Sequence, residues 1–225
     1  MTDPHQQLQD ALDALDAAFA PRTELPVSVG GCTCCYGREA LEALAGPVHR
    51  IPDNLIPCVA HEVPSHWDDF PGLYRKLTPR IVRLLIADQL LHKSVASQFL
   101  AARWREWTAT ERTALENVWQ AWWRSFLHSH PGTGDVTRVI ETLATITGTL
   151  APWLAIWART RTRAADLHLG DALDRWLIED ELADLHFGFY NEVHATPELL
   201  PWLLSLEDGR IDAAQLMGIE RIAYS

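Results

Sequence analysis

Apolar residues recur at helical spacing along most of the chain. Leu8, Leu12, Leu15 and Phe19 share one face of residues 7–19, and Pro21 follows as an expected stop. Residues 21–37 are rich in Pro, Gly and Cys and read as a loop, before a short helix over residues 38–45 that Gly46-Pro47 ends. Asp53 is placed to cap a further short helix running towards Ala60. Thr78, with Pro79 at the first helical position, is expected to cap a long helix whose stripe is Ile81, Leu84, Leu85, Leu91, Val95 and Phe99.

The clearest helix follows. Thr108 and Glu111 form a capping box, and Leu115, Val118, Trp119, Trp122, Trp123, Phe126 and Leu127 then line one face. The run from Pro131 to Gly134 is a break, Asp135 opens the next helix, and Pro152 should kink or divide it. Helical spacing continues over residues 164–190, Thr196-Pro197 opens another segment, and Asp212 starts the last. No stretch alternates for long enough to predict a strand.

The pattern predicts an all-α fold, either an antiparallel helical bundle or a short α-α solenoid, carrying an irregular N-terminal cap. The expected division is a cap over residues 1–77 and a helical body over residues 78–225. Length and a hydrophobic fraction of 48% in 225 residues are sufficient for a sizeable core. Of the ten tryptophans, Trp119, Trp122, Trp153, Trp157 and Trp176 fall on apolar stripes and are expected in the core. Trp104 and Trp107, near a helix end, are the expected exposed partner-binding patch.

Charge changes the picture of partners. Residues 1–73 carry 11 acids and 3 bases, residues 74–163 carry 6 and 13, and residues 164–225 carry 13 and 3, giving −8, +7 and −10. An acidic end favours a basic protein partner, and the shortage of Lys and Arg disfavours nucleic acid as the main ligand. No apolar run reaches membrane-spanning length, so no membrane association is expected. The polar start, with no Lys or Arg before Arg22, does not resemble a secretory signal. A cytoplasmic chain with reduced thiols is therefore expected.

Three of the four cysteines lie within residues 32–35. Cys32 and Cys35 have the two-residue gap that holds two zinc ligands on one tight turn, and Cys58 and His61 repeat it, so the whole reads C-x2-C-x22-C-x2-H. Gly30, Gly31 and Gly37 permit a knuckle in which backbone amides point at sulfur. Cys32, Cys35, Cys58 and His61 are the expected ligands of a structural zinc, with Cys34, His49 and His66 as rivals. Unpaired thiols and a redox pair at Cys32 and Cys35 are the alternatives, although no strand precedes the motif as a thioredoxin-like site requires. His61-Glu62 and His66 fail the H-E-x-x-H pattern, because the histidines are five apart and Pro64 interrupts the helix.

Other clusters carry less. Glu179, Asp180, Glu181, Asp184, His186, Glu192 and His194 read as a solvated acidic face without the Glu-x-x-His spacing of di-iron bundles. His128 and His130 flank a turn. There is no P-loop, dinucleotide-binding glycine pattern or G-x-S-x-G.

Cys32-x-x-Cys35, then Trp67-Asp68, then Tyr74-Arg75-x-Leu77-Thr78-Pro79-Arg80 resembles a group of uncharacterised bacterial helical proteins. These have an N-terminal C-x-x-C knuckle, a Trp-Gly-Asp element and an aromatic-basic segment with Leu-Pro-Arg that opens a helix. This chain has Thr78 where the group has Leu and lacks the glycine of the second element. The resemblance implies a helical fold and no activity. The expected function is a non-enzymatic protein-binding module with a structural zinc site, one form being a toxin-neutralising immunity or antitoxin protein. A metal- or cysteine-dependent enzyme and a structural subunit of a larger assembly are the alternatives.

Overall fold

A computed structural model describes residues 3–24, 28–132, 134–207 and 209–224, the side chain of Glu179 excepted. Among these residues the fold is all-α, with eleven α-helices and one two-stranded antiparallel pair. None of these helices is long and apolar enough to cross a membrane. The chain divides into two compact units, Met1–Trp119 and Gln120–Ser225. Position 77, the expected edge of the helical body, lies inside a helix.

The first unit holds α1 (Pro4–Thr23), α2 (Arg38–Ala45), α3 (Ile56–His61), α4 (Phe70–Ile86), α5 (His92–Ala101) and the start of α6 (Ala109–His128). Pro21 does not stop α1 but sits inside its last turn. The expected helix from Thr78 is also corrected. α4 begins nine residues earlier, where the Asp69 carboxylate accepts the Gly72 N–H at 3.0 Å. Thr78 is an interior residue whose Oγ1 donates to the Tyr74 carbonyl at 2.9 Å. The stripe from Ile81 to Phe99 spans two helices, because the chain turns after Ile86 through Asp88 at φ 56°.

α4 packs against α1, α3 and α5. Its cations tie the irregular segments to it. Lys76 is buried, and its Nζ donates to the carbonyls of Leu44, Ala45 and Gly46 at 3.2, 3.0 and 2.6 Å, satisfying the open C-terminus of α2. Arg80 donates to the Val48 and Ile51 carbonyls at 2.8 and 2.5 Å and pairs with Asp53. Arg83 pairs with Asp13 and Asp16 on α1. Arg75 and Arg22 both reach buried Glu111, which completes the expected box with Thr108.

Trp104 and Trp107 are not an exposed patch. They are 4% and 6% exposed. Trp107 packs edge-on against Phe19 at 5.8 Å and donates to the Ala102 carbonyl at 3.1 Å. A tryptophan near a helix end is buried here because α1 lies across it.

The second unit holds the rest of α6, then α7 (Val136–Thr147), α8 (Ala151–Arg159), α9 (Arg163–Trp176), β1 (His186–Phe187), β2 (Val193–His194), α10 (Thr196–Leu204) and α11 (Ala213–Ala223). Pro152 sits in the first turn of α8, and the division itself is made by Gly148 at φ 70°, a left-handed cap on α7. Trp157 is the centre of an aromatic core, 5.3 Å from Trp123, 6.5 Å from Trp176 and 5.5 Å from Trp202. Two of these indoles donate to carbonyls, Trp123 to that of Trp153 at 2.9 Å and Trp157 to that of Ala165 at 3.0 Å. The helix expected over residues 164–190 ends at Trp176, and a 3-10 segment and the hairpin follow.

Candidate functional site

The cysteine turn is built by backbone bonds. The Cys35 and Tyr36 N–H groups donate to the Cys32 carbonyl at 3.1 and 3.0 Å. The turn is then pinned to residues 66–68. Gly31 bridges Trp67, Cys32 N–H donates to the His66 carbonyl at 2.8 Å, and Asp68 N–H donates to the Gly30 carbonyl at 3.0 Å. A Cβ on Gly31 would lie 2.8 Å from the His66 carbonyl oxygen, so the close approach requires glycine. Tyr36 and Trp67 stack at 4.5 Å and close the inner side. Two elements of the motif noted in the sequence, the cysteine turn and Trp67-Asp68, are thus neighbours.

The thiols are differentiated. The Cys35 thiol donates towards Cys32, and the Cys34 and Cys35 amides also point at it, so Cys32 is held below the ordinary thiol range. Cys35 is pushed up by giving that hydrogen bond, then by desolvation and the surrounding negative charge. Cys58 on α3 is raised by burial and by Glu62, and its Sγ lies 3.5 Å from the Asn54 carbonyl. Tyr36 is pushed up to about 12, first by burial and then by Glu62, Cys58, Cys35 and Cys32. Its phenol therefore registers all of these groups at once.

His61 is placed differently. Its Nε2 accepts the Leu91 N–H at 2.9 Å, and burial lowers its pKa. A neutral ring accepting at Nε2 carries its proton on Nδ1, so neither nitrogen has a lone pair free while that bond stands. Of the rivals, exposed His49 lies 3.8 Å from Glu24. His66 Nδ1 is buried without a hydrogen bond, 3.1 Å from a Glu62 oxygen. The ligand atoms of Cys32, Cys35, Cys58 and His61 do not gather three together within 4.8 Å; among the described residues that grouping occurs at Asp184, His186 and His194.

Comparison with family models, with curated proteins and with solved structures finds no match to this chain. The site is therefore read from its own chemistry. A thiol held low beside a second thiol, with amides aimed at its sulfur, suits a soft metal ion or an electrophile. A cavity of about 470 Å³ lies beside the turn, lined among the described residues by Pro21, Arg22, Ser28, Val29, Gly30, Asp68, Asp69, Gly72, Leu73 and Lys76. No cysteine or histidine faces it. Glu62, which acts on Cys35, Cys58 and Tyr36, was hidden in the sequence by its place in the failed H-E-x-x-H comparison.

Proposed function

We propose that this is a cytoplasmic, non-enzymatic protein-binding module of the toxin-neutralising immunity or antitoxin type, with a structural zinc at the cysteine turn. The observation that carries the binding reading is the turn between β1 and β2. Phe189 and Tyr190 stand there 58% and 75% exposed, edge-to-face at 4.8 Å. The turn is held in shape, since Gly188 N–H donates to Glu141 at 2.9 Å and Tyr190 N–H to Glu192 at 2.8 Å. Rigid exposed aromatics are the side chains that anchor interfaces, and here they rise from a segment rich in acid. Met217 on α11 and Tyr224 just after it, 70% and 81% exposed, add apolar surface to the same unit.

In the zinc reading, the ion draws Cys58 onto the Cys32–Cys35 pair. His66, whose Nδ1 faces Glu62 at 3.1 Å, is the rival to His61 for the fourth position, where the bond of His61 to Leu91 would have to break.

The test of the binding reading is capture on the immobilised full-length chain from the source cell, in parallel with Phe189→Ala and Tyr190→Ala. A protein retained by the native chain and lost with either variant supports the proposal. Equal retention by all three chains contradicts it.

The split between Cys32 and Cys35 favours one second reading, an enzyme that uses Cys32 as a nucleophile. Alkylation of Cys32 far faster than of Cys34, in protein free of metal, would support that reading.

A further inference from the structure

The hairpin also gathers two imidazoles and a carboxylate. Ala195 N–H donates to the Leu185 carbonyl at 2.8 Å, so that pair is hydrogen-bonded and the next pair, His186 and His194, takes the non-bonded position where cross-strand side chains lie closest. The two rings stack at 4.4 Å, 6° from parallel. Phe187 and Val193 point the other way and are buried, which fixes the face the histidines share. Asp184, two residues before His186, brings Oδ1 to 3.4 Å from His194 Nε2 and 3.7 Å from His186 Nδ1.

We propose that Asp184, His186 and His194 form a second, solvent-facing site for a divalent transition ion of the zinc class, independent of the cysteine turn. The distances carry the proposal. A tetrahedral ion with bonds of about 2.0–2.2 Å holds its ligands about 3.3–3.6 Å apart. The Asp184–His194 separation of 3.4 Å already matches that edge, the Asp184–His186 separation of 3.7 Å lies just above it, and the stacked rings have only to rotate for both nitrogens to face one ion. Ligand atoms of all three residues lie within 4.8 Å of one another. Two imidazoles and one carboxylate suit zinc, copper or nickel, whereas calcium and magnesium take oxygen ligands. Three protein ligands leave a fourth position for water or for a donor from another molecule.

The support behind the ligands is ordered. Thr196 Oγ1 accepts the Leu185 N–H at 2.8 Å and donates to the Leu182 carbonyl at 2.8 Å, holding the segment that bears Asp184 against the start of α10. His186 Nδ1 also lies 3.1 Å from the Asp184 carbonyl. Metal at Nδ1 replaces that hydrogen bond, and the neutral ring then carries its proton on Nε2.

The test is Zn2+ titration of the full-length, reduced and chelator-stripped chain, followed by NMR of the imidazole C–H resonances. The expected result is a saturable shift of His186 and His194, assigned by their absence in His186→Ala and His194→Ala and separate from the shift of any histidine at the cysteine turn. Each of these variants should weaken binding by more than about tenfold, since even outer partners of a ligand are worth 10–100-fold. Asp184→Asn should weaken it less, and Cys32→Ser should leave it unchanged. His194 is largely exposed, so an unaltered far-ultraviolet circular dichroism spectrum checks that its variant folds. Binding unchanged in both histidine variants, or binding that disappears with Cys32→Ser, overturns the proposal.

Discussion

Glu111 is 3% exposed, and burial alone would raise its carboxyl. Hydrogen bonds from Arg75 and Thr108 win, and hold it at about 2 against an ordinary 4.5. Because the folded value is depressed, its contribution to stability is complete above about 4.5 and is lost as pH falls towards about 2. Glu111→Gln should cost on the order of 3 kcal/mol at neutral pH. It should also flatten the fall of melting temperature across that acid window, which thermal melts at stepped pH would show. The cysteines give a second residue-scale prediction. Cys34 and Cys35 are both exposed, but Cys32 accepts first from the Cys35 thiol and the Cys34 and Cys35 amides and least from the Cys34 thiol. Cys34→Ser should leave metal content and melting temperature nearly intact, while Cys32→Ser and Cys35→Ser lower both. Equal loss in all three would place the knuckle elsewhere.

At the scale of elements, α4 organises the first unit, and its starting point is testable. Asp69→Ala removes the carboxylate that accepts the Gly72 N–H and should cost about 1 kcal/mol in chemical denaturation. Thr78→Val removes only a hydroxyl that bonds back to the Tyr74 carbonyl within the helix and caps nothing, so it should change stability by less than Asp69→Ala. The reverse order would restore a helix that begins at Thr78. Much of the helical pattern was legible in the sequence, because α2, α6, α7 and α11 carry their signals locally in caps, glycines and apolar stripes. The start of α4 was not, because Thr78-Pro79 imitates a helix start and only the packing of Phe70, Leu73 and Tyr74 reveals that the helix is already under way. The hairpin escaped because two-residue strands are too short to alternate. The roles of Lys76 and Arg80 were also hidden, since their carbonyl partners lie about thirty residues away.

Over the whole molecule, the excess of acid in residues 164–225 is partly neutralised within its own unit. Asp180 pairs with Arg221, Asp166 with Arg210 at 2.7 Å, and Glu207 with Arg161 at 2.6 Å. Glu181 and Asp184 remain exposed, and Asp208 lies outside the described residues. Neutralising the exposed acids among Asp180, Glu181, Asp184, Glu207 and Asp208 should slow association with a captured basic partner several-fold at low salt and much less at high salt, since screening acts over about 8 Å at physiological ionic strength. Stopped-flow rates at two salt concentrations check this. The cysteine turn bears on the whole molecule too, because zinc there would add to the hold that Lys76 and Arg80 exert on the irregular segments of the first unit. The most direct measurement is the zinc released from reduced full-length protein, prepared without chelator, when its thiols are modified. About one equivalent per chain, as one four-ligand site requires, kept by His186→Ala and lost by Cys32→Ser, is the predicted result. No zinc released on thiol modification, or release unaffected by Cys32→Ser, would contradict a zinc site at the cysteine turn.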